Sequence, residues 1–189
     1  MPDVFVKVRG YVQNHRTPTP DEVARILPLL APEDALAIQL LAATGARIGE
    51  ITRLPRRAID RGAKVIRLNG KTGPRDFPLT PDLEALLEGR IEDSDRPVLN
   101  YRQSYPIGHV QYVLACACKK AGIQPFTPHA LRRLAVDRMA RAGVEVSTAA
   151  SLTGHNPIVM LRDYRQVREE ELLEAMLRAD VDAVLRRCV

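Results

Sequence analysis

A chain of 189 residues that is 46% hydrophobic can bury one good core but hardly two, and with 4% aromatics and no Trp that core must be aliphatic. Its formal charge of +5 permits a polyanionic partner. The three cysteines, Cys116, Cys118 and Cys188, lack C-x-x-C spacing, which argues against a zinc ribbon or a disulfide scaffold and for a reducing cytoplasm. No segment resembles a signal peptide or a membrane span, so the chain reads as soluble and cytoplasmic.

Residues 1–18 alternate weakly at Val4, Val6 and Val8 and read as a linker or N-terminal arm. Thr19-Pro20-Asp21-Glu22 then combines an N-cap hydroxyl, a Pro at the first helical position and a Glu at the third, predicting a helix to about Leu30. Pro32 opens a second helix with Leu36, Ile38, Leu40 and Leu41 as core candidates, and Gly45 is its left-handed stop. Val65, Ile66 and Leu68, then Gly70-Lys71-Thr72-Gly73-Pro74, then Phe77 and Leu79, predict two short strands around a turn. Further helices are predicted from Thr80-Pro81, over 104–121, from Thr127-Pro128 to Gly143, from Val146 to a stop at Gly154, from Asn156-Pro157, and over 168–187. The fold class is mainly α, or α+β: a helical core with one small antiparallel sheet.

Charge is unevenly spread. From Arg168 onward the chain carries a net −2, leaving +7 on residues 1–167. The acidic tail nevertheless has an apolar stripe of helical period, Leu173, Leu177, Val181, Val184 and Cys188, which must be covered by its own domain or by a neighbouring protomer.

Several side chains invite a chemical reading, and each has a bland one beside it. Arg47 lies three residues before Glu50, close enough for the carboxylate to orient its guanidinium for two-pronged contact with a phosphate; taken by itself, an ordinary helix-start ion pair is the safer reading. Gly70-Lys71-Thr72 mimics the end of a P-loop, but Val65 stands where that loop needs Gly, so Lys71 is better read as a hairpin-tip lysine, able to reach into a DNA groove although most such lysines merely keep the turn soluble. His129 and Arg132 share the first turn of a helix, a natural phosphate seat, although such pairs are usually solvated. His155 suits packing or a hydrogen bond to phosphate. Tyr164, nine residues on, is by itself usually a half-buried packing residue, and a poor nucleophile unless cations and a base assist it.

Taken in order, these segments resemble the catalytic domain of the tyrosine recombinases, the phage integrase family of lambda-type integrases and Xer-type resolvases. The resemblance rests on Thr44-Gly45-Ala46-Arg47-Ile48-Gly49-Glu50, the hairpin Lys71, His129-Ala130-Leu131-Arg132, Leu152-Thr153-Gly154-His155 and Tyr164. Thr153 departs from the family's L-G-H turn and is expected to touch no chemical group. The resemblance implies that Tyr164 attacks a DNA phosphate to form a 3′-phosphotyrosyl bond while Arg47 and Arg132 hold the phosphate oxygens. His129 would take the phenolic proton, Lys71 would protonate the leaving 5′ oxygen, and Glu50 would orient Arg47.

It implies no metal and no nucleotide cofactor. The implied partners are double-stranded DNA, a homotetramer on synapsed DNA, and a separate helical DNA-binding domain or accessory protein, for which residues 1–18 are too few. The expected division is an arm over 1–18, the catalytic domain over 19–165, and a C-terminal helix over 166–189 that docks on a neighbouring protomer or on its own domain. A type IB topoisomerase uses nearly the same chemistry, and a non-catalytic DNA-binding regulator would keep the fold; the latter should have lost one of the six groups, and none is missing.

Overall fold

Thr19 caps the first helix as its spacing predicts: its hydroxyl accepts from the Glu22 amide at 3.2 Å, and the Glu22 carboxylate accepts from the Thr19 amide at 2.9 Å. The computed structural model describes residues 16–71, 73–101, 106–156, 158 and 160. Over these the chain runs α1 (Pro20–Ile26), α2 (Pro32–Thr44), α3 (Ile48–Thr52), β1 (Ile59–Asp60), β2 (Val65–Gly70), β3 (Gly73–Pro78), α4 (Pro81–Leu86), α5 (Pro106–Lys120), α6 (Pro128–Arg141) and α7 (Val146–Thr153). The architecture is helical with one small antiparallel sheet in the order β1-β2-β3, as the fold class anticipates.

Two differences from the expected elements have local causes. α1 ends at Ile26 and continues only as a 3-10 turn over Leu27–Leu29, because Pro28 has no amide to extend the α ladder. β1 pairs only Ile59 with Ile66 and Asp60 with Val65, too short a stretch to show a period of two.

α2 is apolar on nearly every side, and Leu36, Ala37, Ile38, Leu40 and Leu41 are all buried, the signature of a central helix. It packs on α6 and stops at Gly45, whose φ of 62° is the left-handed conformation that a side chain resists. Ile66, Leu68 and Phe77 of the sheet join the same core. The register sets Leu68 opposite Arg75 and closes the hairpin at Gly70 opposite Gly73, with Lys71 in the turn.

α7 rests on the second half of α6 through a small cluster of Val136, Ala149, Ala150 and Met160, in which the alanines permit a close approach. Beyond it, the Asn156 side chain accepts from the Ile158 amide at 2.9 Å, the cap expected there. Residues 1–15 of the arm expected over 1–18, Tyr164 and the tail helix over 168–187 lie outside the described residues.

Candidate active site

Three arginines from distant parts of the chain converge on the end of α7. Arg75 donates through Nε to the Leu152 carbonyl at 2.9 Å, Arg132 through Nη1 to the Thr153 carbonyl, and Arg47 through Nη2 to the Gly154 carbonyl at 3.0 Å. Those consecutive carbonyls belong to the last turn of a helix, where acceptors have no partner within the helix and the dipole favours cations. Gly154 ends α7 in the left-handed conformation (φ 70°), its own amide returning to the Ala150 carbonyl.

Glu50 holds two of the three. Its carboxylate takes a two-pronged contact from Arg75, Nη1 to Oε1 at 3.0 Å and Nη2 to Oε2 at 2.7 Å. From Arg47 it receives the backbone amide at 2.8 Å and Nη1 at 3.2 Å. Arg47 is the N-cap residue of α3 and Glu50 sits one turn into it, so the helix start fixes their spacing. Burial alone would raise the Glu50 carboxyl, but the hydrogen bonds from Arg75 and the Arg47 amide outweigh it and hold the group below its ordinary range.

Gly70 makes room for this: a Cβ there would stand 1.8 Å from Glu50 Oε1 and 3.3 Å from Arg47 Nη1. The strand end that carries Lys71 is therefore pressed against the carboxylate.

Arg132 is buried at 3% exposure, contrary to the solvated reading of an H-x-x-R pair taken alone. The Gly45 loop and the end of α7 close over it, Nη1 reaching the carbonyls of both Gly45 and Thr153. Its Nε donates to His155 Nε2 at 3.0 Å. An arginine cannot accept, so Nε2 carries the lone pair and Nδ1 the proton. Nδ1 then donates to the Thr153 hydroxyl at 2.8 Å, which donates onward to the Ala149 carbonyl at 2.7 Å.

The expectation that Thr153 touches no chemical group is thus wrong: its hydroxyl receives the Nδ1 proton of His155 and holds the ring from its second nitrogen. Burial, then the charges of Arg132, Arg47, His129 and Arg75, push the His155 pKa down to about 3, so the ring is neutral at physiological pH.

The fold brings Arg47, Glu50, Arg132 and His155 into one hydrogen-bonded cluster. Lys71 is exposed at the adjoining hairpin turn, and His129 is exposed as the second residue of α6. Tyr164 lies outside the described residues. Arg75 joins the cluster without having been marked in the sequence; its signal was a charged residue two positions before the inward-facing Phe77, hence on the same strand face. An open cleft of about 350 Å³ runs alongside, lined by Pro74, Arg75, Ser151, Gly154 and His155 among others. Among the described residues, no group of three or more His, Cys, Asp or Glu side chains is placed to share a metal ion, and no helix is long and apolar enough to cross a membrane.

Residues 17–171 match the phage integrase family. The chain belongs to that family. Among its curated relatives, the tyrosine recombinase XerC of Staphylococcus saprophyticus is 30% identical over 158 residues, covering 77% of this chain and 53% of XerC. The tyrosine recombinase XerA of Pyrococcus furiosus is 26% identical over 176 residues, covering 86% of this chain and 61% of XerA. This member of the phage integrase family thus spans roughly half to three-fifths of those relatives' length.

Its fold is shared with a crystal structure of XerA recombinase, at a TM-score of 0.68 and 21% identity over 87% of this chain and 63% of that one. It is shared also with the Tn1549 transposon integrase in complex with transposon right end DNA, at a TM-score of 0.73 and 18% identity over 90% and 68% of the two chains.

Proposed function

We propose that this chain is the catalytic domain of a site-specific DNA recombinase that cuts and rejoins strands through a 3′-phosphotyrosyl intermediate. The observation that carries this reading is the cluster itself: Arg47 and Arg75 paired with the single carboxylate of Glu50, and Arg132 joined to a neutral His155, all three guanidiniums meeting at the end of α7. That excess of fixed positive charge suits a phosphate whose negative charge grows during in-line attack. The family match also runs past Tyr164, to residue 171, and the relatives named above are recombinases and integrases rather than topoisomerases.

The phenolic oxygen of Tyr164 attacks phosphorus, a tyrosyl–phosphate bond forms, and the bond to the 5′ oxygen breaks. His129 takes the phenolic proton and Lys71 gives one to the departing oxygen, while Arg47 and Arg132 hold the non-bridging oxygens. One phosphodiester replaces another, so rejoining by the reverse path needs no nucleotide.

The partners on this reading are duplex DNA and three further copies in a synaptic tetramer, with a separate DNA-binding domain closing on the opposite side of the duplex. The setting is the cytoplasm, at the nucleoid.

The test is to select DNA from a random duplex library by covalent capture, then resolve protein and DNA by denaturing electrophoresis. A covalent band that disappears in Tyr164→Phe while DNA binding persists is the expected result. Absence of any adduct from the selected pool, or an adduct that survives Tyr164→Phe, overturns the reading.

A further inference from the structure

We propose that Arg75 is a positioning residue of this site: it is the counter-ion of Glu50, and by occupying that carboxylate it leaves the charge of Arg47 for the phosphate. The proposal rests on the recombinase reading above and adds to it a residue that acts through Arg47.

The two arginines do not share Glu50 equally. Arg75 meets both oxygens in parallel at 3.0 and 2.7 Å, and the two side chains are only 10% and 2% exposed. Arg47 gives the carboxylate one guanidinium contact, at 3.2 Å, and its side chain remains 34% exposed. The tighter and more buried ion pair is therefore Glu50 with Arg75, and the looser contact orients Arg47 without neutralising it. A two-pronged guanidinium–carboxylate pair is the stronger of the two arrangements.

Removing Arg75 changes who pairs with whom. Glu50, at 2% exposure, cannot recover solvent, and an unpaired buried carboxylate is strongly unfavourable. The cation left in contact with it is Arg47, which already has Nη1 and its amide against it. Arg47 then closes onto the carboxylate, and the three-residue group falls from a formal +1 to zero. A pentacoordinate phosphate carries about one more negative charge than the diester it comes from, so this cancellation acts on the transition state rather than on DNA binding.

Geometry adds a second link. Through Nε, Arg75 also holds the Leu152 carbonyl, the neighbour of the two carbonyls that receive Arg132 and Arg47. One side chain thus ties β3, α3 and the end of α7 together.

The test measures covalent adduct formation on selected DNA for wild type, Arg75→Gln, and Glu50→Gln with Arg75→Gln together. Each is assayed on an ordinary phosphate and on a methylphosphonate, which lacks one charged oxygen. Arg75→Gln is expected to slow adduct formation roughly a hundredfold on phosphate and much less on methylphosphonate. Because that ratio is internal to one preparation, it does not depend on what fraction of the variant folds. The double variant, with no carboxylate left to capture Arg47, is expected to be faster than the single one on phosphate.

An unchanged ratio in Arg75→Gln, or a double variant no faster than the single one, overturns the proposal while leaving the recombinase reading intact. A wild-type protein that forms no adduct overturns both.

Discussion

The Thr153 hydroxyl lies 2.8 Å from His155 Nδ1 and 2.7 Å from the Ala149 carbonyl, so one side chain joins the imidazole to the body of α7. With Arg132 donating to Nε2 from the other side, the ring is held at both nitrogens. Thr153→Val keeps the shape and removes the oxygen. It should destabilise the fold by about 1–2 kcal/mol, read by denaturant unfolding, because the partners are left unsatisfied. Nitrogen NMR of the imidazole should show the proton on Nδ1 in both wild type and variant, since Arg132 still donates to Nε2. A wild-type spectrum with the proton on Nε2 would contradict the network.

Stability should fall with acid in a specific window. His155 protonates near 6.5 when unfolded and only near 3 when folded, so below 6.5 the unfolded chain binds the extra proton. The contribution is fully present above pH 6.5 and is lost progressively towards pH 3. Glu50, lowered from 4.5, adds a loss of the same sign that begins near that value. Thermal melts should therefore show Tm dropping between pH 7 and pH 5, and His155→Gln should flatten that interval while leaving the fall at lower pH.

Gly70→Ala and Gly73→Ala separate a steric requirement from a conformational one. The first puts a Cβ 1.8 Å from Glu50 Oε1 and forces the carboxylate off its arginines; breaking a buried pair in this way should cost about 3 kcal/mol. At Gly73 there is open space but a φ of 96°, so only backbone strain of about 1–2 kcal/mol is expected. Chemical denaturation ranks the two, and equal losses would mean that the contact with Glu50 is not what Gly70 protects.

Lys71 is exposed at the hairpin turn, and its proposed task is to protonate a departing alkoxide. Replacing the 5′ bridging oxygen of the DNA by sulfur makes that proton unnecessary, since a thiol ionises at about 8.5. Lys71→Ala should lose roughly a hundredfold or more in adduct formation on normal DNA and nearly nothing on the sulfur-substituted strand. A defect of the same size on both would assign Lys71 to DNA binding instead.

What could be read from the sequence was what a few neighbouring residues determine. The Thr19–Glu22 box, the stop at Gly45 and the hairpin from Val65 to Phe77 each follow from local rules, and each is present. Arg75 and Thr153 could not be read in that way. The partners of Arg75 lie 25 and 77 residues away, and the hydroxyl of Thr153 matters only because the chain turns at Gly154 and brings His155 back over it. The burial of Arg132 has the same origin, since it depends on the Gly45 loop, 87 residues distant. β1 escaped notice for the opposite reason, being too short to carry any pattern.

The acceptors that gather the three arginines are main-chain carbonyls of Leu152, Thr153 and Gly154. A carbonyl is supplied by every amino acid, so the grip on α7 demands a helix ending at the right place rather than particular side chains. The guanidiniums themselves therefore read the backbone of this turn and not its side chains. Thr153 and Gly154 answer to other demands, the one through its hydroxyl at His155 and the other through its positive φ.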